Sequence, residues 1–209
     1  MELNINVENL WKVNWEWIVM KPQSWNQRLK KEREQKNTYF SIHPNSPIPF
    51  EERESFKGLN YYPPIPTYRF ELELHEHKEK KRVKIIYTGE ETKDFLQWGE
   101  FRFTLAGEVQ VLQVYKSSPY EKRLFVPFRD ATSGKETYSA GRYMDLEPEK
   151  HLTTQGTWIL DFNRAYNPLC AYSEKYTCPF VPPENWLDVP IPAGEKKYEP
   201  PRKRSITQG

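Results

Sequence analysis

The sequence predicts a mainly β, α+β fold: an antiparallel meander forming a barrel or sandwich, preceded by two N-terminal helices. Three observations predict it. Tyr68, Phe70, Leu72 and Leu74 alternate with Arg69, Glu71, Glu73 and His75, the period of two of a strand with one buried and one wet face. Comparable runs recur at short spacing, separated by Gly- or Pro-containing turns, as in all-β barrels and sandwiches. Helical patterns fall ahead of these runs.

Residues 6–20 carry two periods at once. Leu10, Trp11, Asn14, Trp17 and Ile18 trace a mostly apolar helical face, yet Trp11, Val13, Trp15, Trp17 and Val19 alternate like a strand. We assign a helix, with Asn6 as N-cap and Pro22 just past its end. Ser24 caps a second helix over about residues 25–40, with Trp25, Leu29 and Glu32 on one face and Tyr39 and Phe40 closing it. Its Lys30, Lys31, Arg33 and Lys36, partly offset by Glu32 and Glu34, read as a solvated face. A proline-rich loop begins at His43. Residues 50–56 form a short helix that Gly58 can end, and residues 60–66 are extended.

After the strand at residues 68–74, a charged turn at residues 76–80 leads to Val83, Ile85 and Tyr87, and Gly89 and Glu90 break the run. Phe101, Phe103 and Leu105 alternate again. Ala106 and Gly107 make a tight hairpin turn, and residues 109–115 return. Strands at residues 124–128, 138–146 and 158–163 follow, and the proline-rich residues 179–192 hold one edge strand at 187–191. The domain reading is an N-terminal helical extension at 1–23, a single β-rich domain at 24–198 and a flexible basic tail at 199–209.

Charged residues make up 29% of the 209 residues but nearly cancel, to +2. Such a balance argues against nucleic-acid or membrane partners. No apolar run approaches the roughly 20 residues of a membrane span, and no signal peptide is recognisable, so a cytoplasmic location is expected. Aromatics at 15% point to a core of Phe, Tyr and Trp. The 18 prolines against 9 glycines, with abundant Lys and Glu, suit a thermophile.

Several motifs combine along the chain. They are Arg33-x5-Tyr39-Phe40-x2-His43-Pro44-x-Ser46-Pro47, Arg53-x2-Phe56-x-Gly58-Leu59-x-Tyr61-Tyr62-Pro63 and the stretch from Leu124 through Arg129-Asp130 to Gly134. Thr137-Tyr138 and Gly141-Arg142-Tyr143 follow, then Leu160-Asp161-Phe162-Asn163-x-Ala165-Tyr166-Asn167-Pro168, Cys178-Pro179, Pro182-Pro183-Glu184-Asn185 and Ala193-Gly194-Glu195. Together, over about residues 24–198, they are similar to the bacterial and archaeal domain-of-unknown-function family numbered 1684. The resemblance implies no activity and carries no catalytic residue over.

Candidate chemistry therefore rests on the residues themselves. Arg142 shares a strand face with Tyr138, Ala140, Met144 and Leu146, and a buried guanidinium must be paired or bind an anion. Arg129 and Asp130 stand at a strand end beside Thr132, Ser133 and Gly134, a turn able to offer hydroxyls and N–H groups. Asp161 and Asn163 lie on one strand face, with Tyr166 and Asn167 following and Glu184 arriving from the proline-rich return. Two readings fit. In the first, Arg129, Asp130, Arg142, Tyr143, Asp161, Asn163, Tyr166, Asn167 and Glu184 line a pocket for a small anionic or polar molecule, in a binding protein or an enzyme. In the second they form an internal polar network, and the aromatic first helix docks a second copy, giving a homodimer, or another partner.

Cys170 and Cys178 are either a disulfide or two free thiols; C-x7-C matches no zinc signature. None of His43, His75, His77 and His151 falls in the polar motifs, and His43 is the best placed of them to reach the barrel. His75 and His77 on one side of a strand are only two ligands, so no metal site is expected. Glycine-rich phosphate loops, nucleophile elbows and zincin helices are absent.

Overall fold

The computed structural model describes residues 24–200. The helix expected over residues 6–20, and a dimer built through it, lie outside these residues. Helix α1 is Trp25–Ile42. Ser24 Oγ accepts the Gln27 N–H while the Gln27 side chain accepts the Ser24 N–H, so two N-terminal donors are satisfied reciprocally. At the other end the His43 N–H bonds the Tyr39 carbonyl, and the His43 ring stacks on Tyr39 at 4.2 Å. Helix α2 is one turn, Phe50–Arg53, shorter than the 50–56 expected.

Among the described residues seven strands follow: β1 Arg69–Leu72, β2 His75–Ile86, β3 Thr92–Leu105, β4 Glu108–Lys116, β5 Leu124–Phe128, β6 Arg142–Leu146 and β7 Trp158–Asp161. A one-turn helix α3, Pro148–His151, precedes β7. All strand pairings are antiparallel. Strands β2-β3-β4-β5-β6 form one open sheet in sequence order, and β1 pairs with β7 in a second. The antiparallel meander is as expected, but no closed barrel forms.

Instead, the β1–β7 ribbon covers one face of the five-stranded sheet. From that face come Phe101 and Phe103, Leu112 and Val114, Leu124, Val126 and Phe128, and Met144 and Leu146. Trp158, Leu160 and Phe162 meet them from the ribbon. Phe70, Phe103, Phe128 and Phe162 make a run of ring contacts 4.9–6.0 Å apart. The aromatic-rich composition is spent here, in edge and tilted contacts that add to area burial.

Three expected elements differ. Residues 76–80 are not a turn: β2 continues through them, and a register shift between Glu76 and Lys81 absorbs the surplus against β3. The strand expected at 138–146 begins only at Arg142. Gly141, at φ +98°, turns the chain where an added Cβ would lie 2.6 Å from the Phe128 carbonyl oxygen. Residues 187–191 form no strand; Trp186 makes a single bridge to Arg129.

A bulge in β3 decides which aromatic rings reach each face of the sheet. Gln97 pairs with Tyr115 and Gly99 with Val114, leaving Trp98 extra in β3. One inserted residue exchanges the faces that odd positions occupy. Phe101 and Phe103 therefore enter the core, while Phe95 stands on the sheet's other face with Tyr115, Phe125 and Tyr143.

Candidate functional site

Alternation along β5 and β6 sends Arg142 and Asp130 to the core side and Arg129 away from it. Arg142 is 0% exposed. Its Nη2 bonds Asp130 Oδ2 at 2.7 Å and the Ile191 carbonyl at 2.9 Å. Its Nη1 bonds the Ala193 carbonyl and, at 3.2 Å, that of Glu195. Burial pulls its pKa down while the Asp130 charge pushes it up. Asp130 in turn accepts the Thr132 N–H at 2.7 Å, the Thr132 hydroxyl and the Ile191 N–H. The pair thus ties residues 191–195 to the β5–β6 hairpin. Arg129 is half-buried and lies over the Trp186 ring at 4.6 Å.

Asp161 and Asn163 form a second cluster at the end of β7. Asp161 accepts the Asn163 backbone and side-chain N–H groups at 3.1 and 2.9 Å, the Trp25 indole N–H at 2.7 Å and Arg164. The Asn163 amide both accepts from and donates to the Ile65 backbone, at 2.8 and 2.9 Å. A third cluster centres on Glu195, 1% exposed. Its carboxylate accepts Lys36, the Tyr172 hydroxyl at 2.5 Å, the Tyr61 hydroxyl at 3.3 Å and the Asn167 N–H at 2.9 Å. Gly194 precedes it at φ +79°, where a Cβ would meet the Phe162 carbonyl oxygen at 2.6 Å.

Asn185 is a fourth centre, 0% exposed. Its amide donates to the carbonyls of Gln113 and Pro127 at 2.9 and 2.6 Å and accepts the Gln113 N–H at 2.7 Å. Strands β4 and β5 share just one register pair, Tyr115 with Phe125. The Asn185 side chain acts as a peptide group between strands that have splayed apart.

Of the nine candidate residues, Tyr143 and Tyr166 line a cleft on the outer sheet face; its volume is about 250 Å³. Tyr115, Phe125, Tyr143 and Phe95 form its floor. Tyr87, Cys178, Pro179, Tyr166, Pro168 and Leu169 also line it, with Lys116, Glu121, Arg123 and Asp145 among the polar groups. Tyr143 and Tyr166 exchange both backbone hydrogen bonds, at 2.9 and 3.0 Å, so residue 166 continues the sheet beyond β6. Pro168 then stops it. The rings of Phe125 and Tyr143, and of Tyr143 and Tyr166, meet edge to face at 5.0 and 6.0 Å.

The phenols are fixed by acceptors. Tyr166 donates to Asp145 Oδ2 at 2.5 Å, Tyr143 to the Pro179 carbonyl, and Tyr115 to Glu184 at 2.9 Å. Burial first, and nearby negative charge, pushes all three pKa values upward, so they remain neutral donors at physiological pH. Arg123 reaches Asp145 Oδ2 at 3.4 Å, leaving Asp145 Oδ1 buried without a hydrogen-bond partner. A buried acceptor left open costs about 1–3 kcal/mol, which a bound donor would recover. The arrangement can hold a flat ring and meet it with one acceptor and one cation.

Arg129, Asp130, Arg142, Asp161, Asn163 and Asn167 do not line this cleft, and Glu184 meets it only through the Tyr115 hydroxyl. Its Phe95, Phe125 and Asp145 were not among the sequence candidates. Their signal was the alternation Phe125, Tyr143, Asp145 opposite the core positions, hidden on β3 by the bulge. Glu195 and Asn185 stood within the sequence motifs without a role of their own. Cys170 and Cys178 are free thiols. No helix among the described residues is long and apolar enough to cross a membrane.

No curated protein matches the chain. It is similar to the solution NMR structure of an uncharacterized protein from Haloarcula marismortui, with 40% identity and a TM-score of 0.63, over 82% of this chain and 94% of that one. Residues 54–196 match the family described as "Protein of unknown function (DUF1684)". The chain belongs to that family.

Proposed function

We propose that the protein binds a small polar ring compound in the cleft on the outer face of β3–β6, and that its buried polar motifs are the scaffold holding the cleft open. One observation carries this reading: Asp145 lines an aromatic cleft and keeps a buried carboxylate oxygen without a partner. Six aromatic rings, Tyr87, Phe95, Tyr115, Phe125, Tyr143 and Tyr166, supply flat apolar contact around it. The ligand is small, because about 250 Å³ lies below the roughly 300–1,000 Å³ of sites for drug-sized molecules. It carries a donor, an N–H or O–H, for Asp145 and an acceptor for Arg123. Phenols and free nucleobase-like heterocycles have this chemistry.

Thermal-shift screening of such compounds tests the reading. At least one should raise the melting temperature of the wild type, and the gain should disappear in Asp145→Asn and in Leu169→Trp, which fills the rim. A screen without stabilising compounds, or equal gains in all three proteins, contradicts it.

A further inference from the structure

The cleft wall also holds Cys178, with Cys170 beside it just behind Leu169, and ligand binding uses neither. Cys178 is 6% exposed and lines the cleft. Its backbone is pinned to the end of β2: its N–H bonds Thr88 Oγ1 at 3.1 Å and its carbonyl accepts the Thr88 N–H at 3.0 Å. Cys170 sits in the 3-10 turn Leu169–Ala171, and its N–H points at Cys178 Sγ at 3.2 Å. The two thiols shift each other's ionisation, and the Tyr138 hydroxyl lies 3.7 Å from Cys170 Sγ. Two sulfurs and a backbone donor aimed at one of them make more than a pair of idle thiols.

We infer that Cys178 and Cys170 are a peroxide-responsive dithiol, with Cys178 the attacking sulfur and Cys170 the resolving one. The contacts act in one direction. The Cys170 thiol, and the N–H groups of Cys170 and Leu169, favour the Cys178 thiolate against the penalty of burial, and Cys170 is correspondingly harder to ionise. A thiolate is the reactive form. The remaining groups facing the pair are the neutral phenols Tyr138, Tyr143 and Tyr87.

The Cys178 thiolate attacks one oxygen of a hydroperoxide, the O–O bond breaks, and the departing alkoxide or hydroxide takes a proton. Sulfur has lost two electrons to the peroxide and is a sulfenic acid. Cys170 then attacks that sulfur, the S–O bond breaks, and water leaves with the thiol proton, giving the disulfide. A small external thiol returns the pair by exchange. The bond would tie the turn that carries Leu169 to Cys178, both in the cleft lining, coupling oxidation to the shape of the ligand site.

The dithiol chemistry does not depend on the cleft binding a ligand. Intact-mass measurement of the full chain after stoichiometric hydrogen peroxide should show the loss of two hydrogens and loss of both alkylatable thiols, reversed by glutathione. In Cys170→Ser a dimedone adduct should form on Cys178, and Cys178→Ser should form neither product. In the untouched wild type, limited iodoacetamide should label Cys178 before Cys170, a readout that needs no variant. Absence of the mass loss, labelling of Cys170 first, or a dimedone adduct on Cys170 alone would overturn the assignment.

Discussion

Arg142 and Asp130 show what the buried polar residues do. Both side chains are fully enclosed, and breaking such a pair from one side costs about 3–5 kcal/mol because the remaining charge is stranded. Asp130→Ala should therefore lower the urea unfolding free energy by that amount, and Asp130→Leu with Arg142→Met should recover part of the loss. Losses that simply add would contradict a coupled pair. His151 gives a pH signature. Burial, its largest cause, holds its pKa below 6.5, opposed by a bond to the Glu147 carbonyl. The unfolded chain therefore takes up the proton first as pH falls. The stabilisation is complete above about pH 6.5 and fades as pH drops toward the folded value. His151→Gln should flatten the fall in urea midpoint between about pH 7 and pH 5.5, and an unchanged slope would contradict the assignment. Arg142 was legible as a buried cation because residues 142, 144 and 146 share a face with apolar partners. Its carbonyl acceptors were not, because all three belong to residues 191–195, which no local pattern brings near.

At the scale of elements, pairing within the meander was readable from alternation and turn residues, while its departures were not. The Trp98 bulge reversed which side chains of β3 face the core, and so concealed the outer face on which Phe95 lies. Charge at residues 76–80 suggested a turn, yet exposed strand tolerates Lys and Glu at an edge. Asn185, a residue of the proline-rich return, bridges β4 and β5. Replacing it with Leu would strand the Gln113 N–H and carbonyl and the Pro127 carbonyl, at about 1–3 kcal/mol for each group left unpaired. Hydrogen exchange at the Gln113 amide should accelerate in Asn185→Leu beyond what the global stability change produces. Protection that follows global stability alone would mean the strands hold without the asparagine.

Over the whole molecule, two faces of one sheet carry different duties. The inner face, with the β1–β7 ribbon, forms the aromatic core. Around its edges the Arg142, Asp161 and Glu195 clusters fasten α1, the extended residues near Ile65 and the C-terminal segment to the sheet. The outer face is left partly open, and residues 166–169 and 178–179 raise walls around it. Sequence motifs drew attention to the fasteners, since dense polar residues look the same whether they hold a ligand or the chain itself. Only the third dimension separates Tyr143 and Tyr166, on the cleft, from Arg142 and Asn167, one residue away and buried.

Amide NMR shift mapping with the best stabilising phenol or nucleobase tests that division most directly. Perturbations should concentrate at Phe125, Tyr143, Asp145, Tyr166 and Leu169, with Asp130, Arg142 and Asn163 unmoved. A perturbed set centred on those three buried residues, or none at all, would place the site elsewhere or remove it.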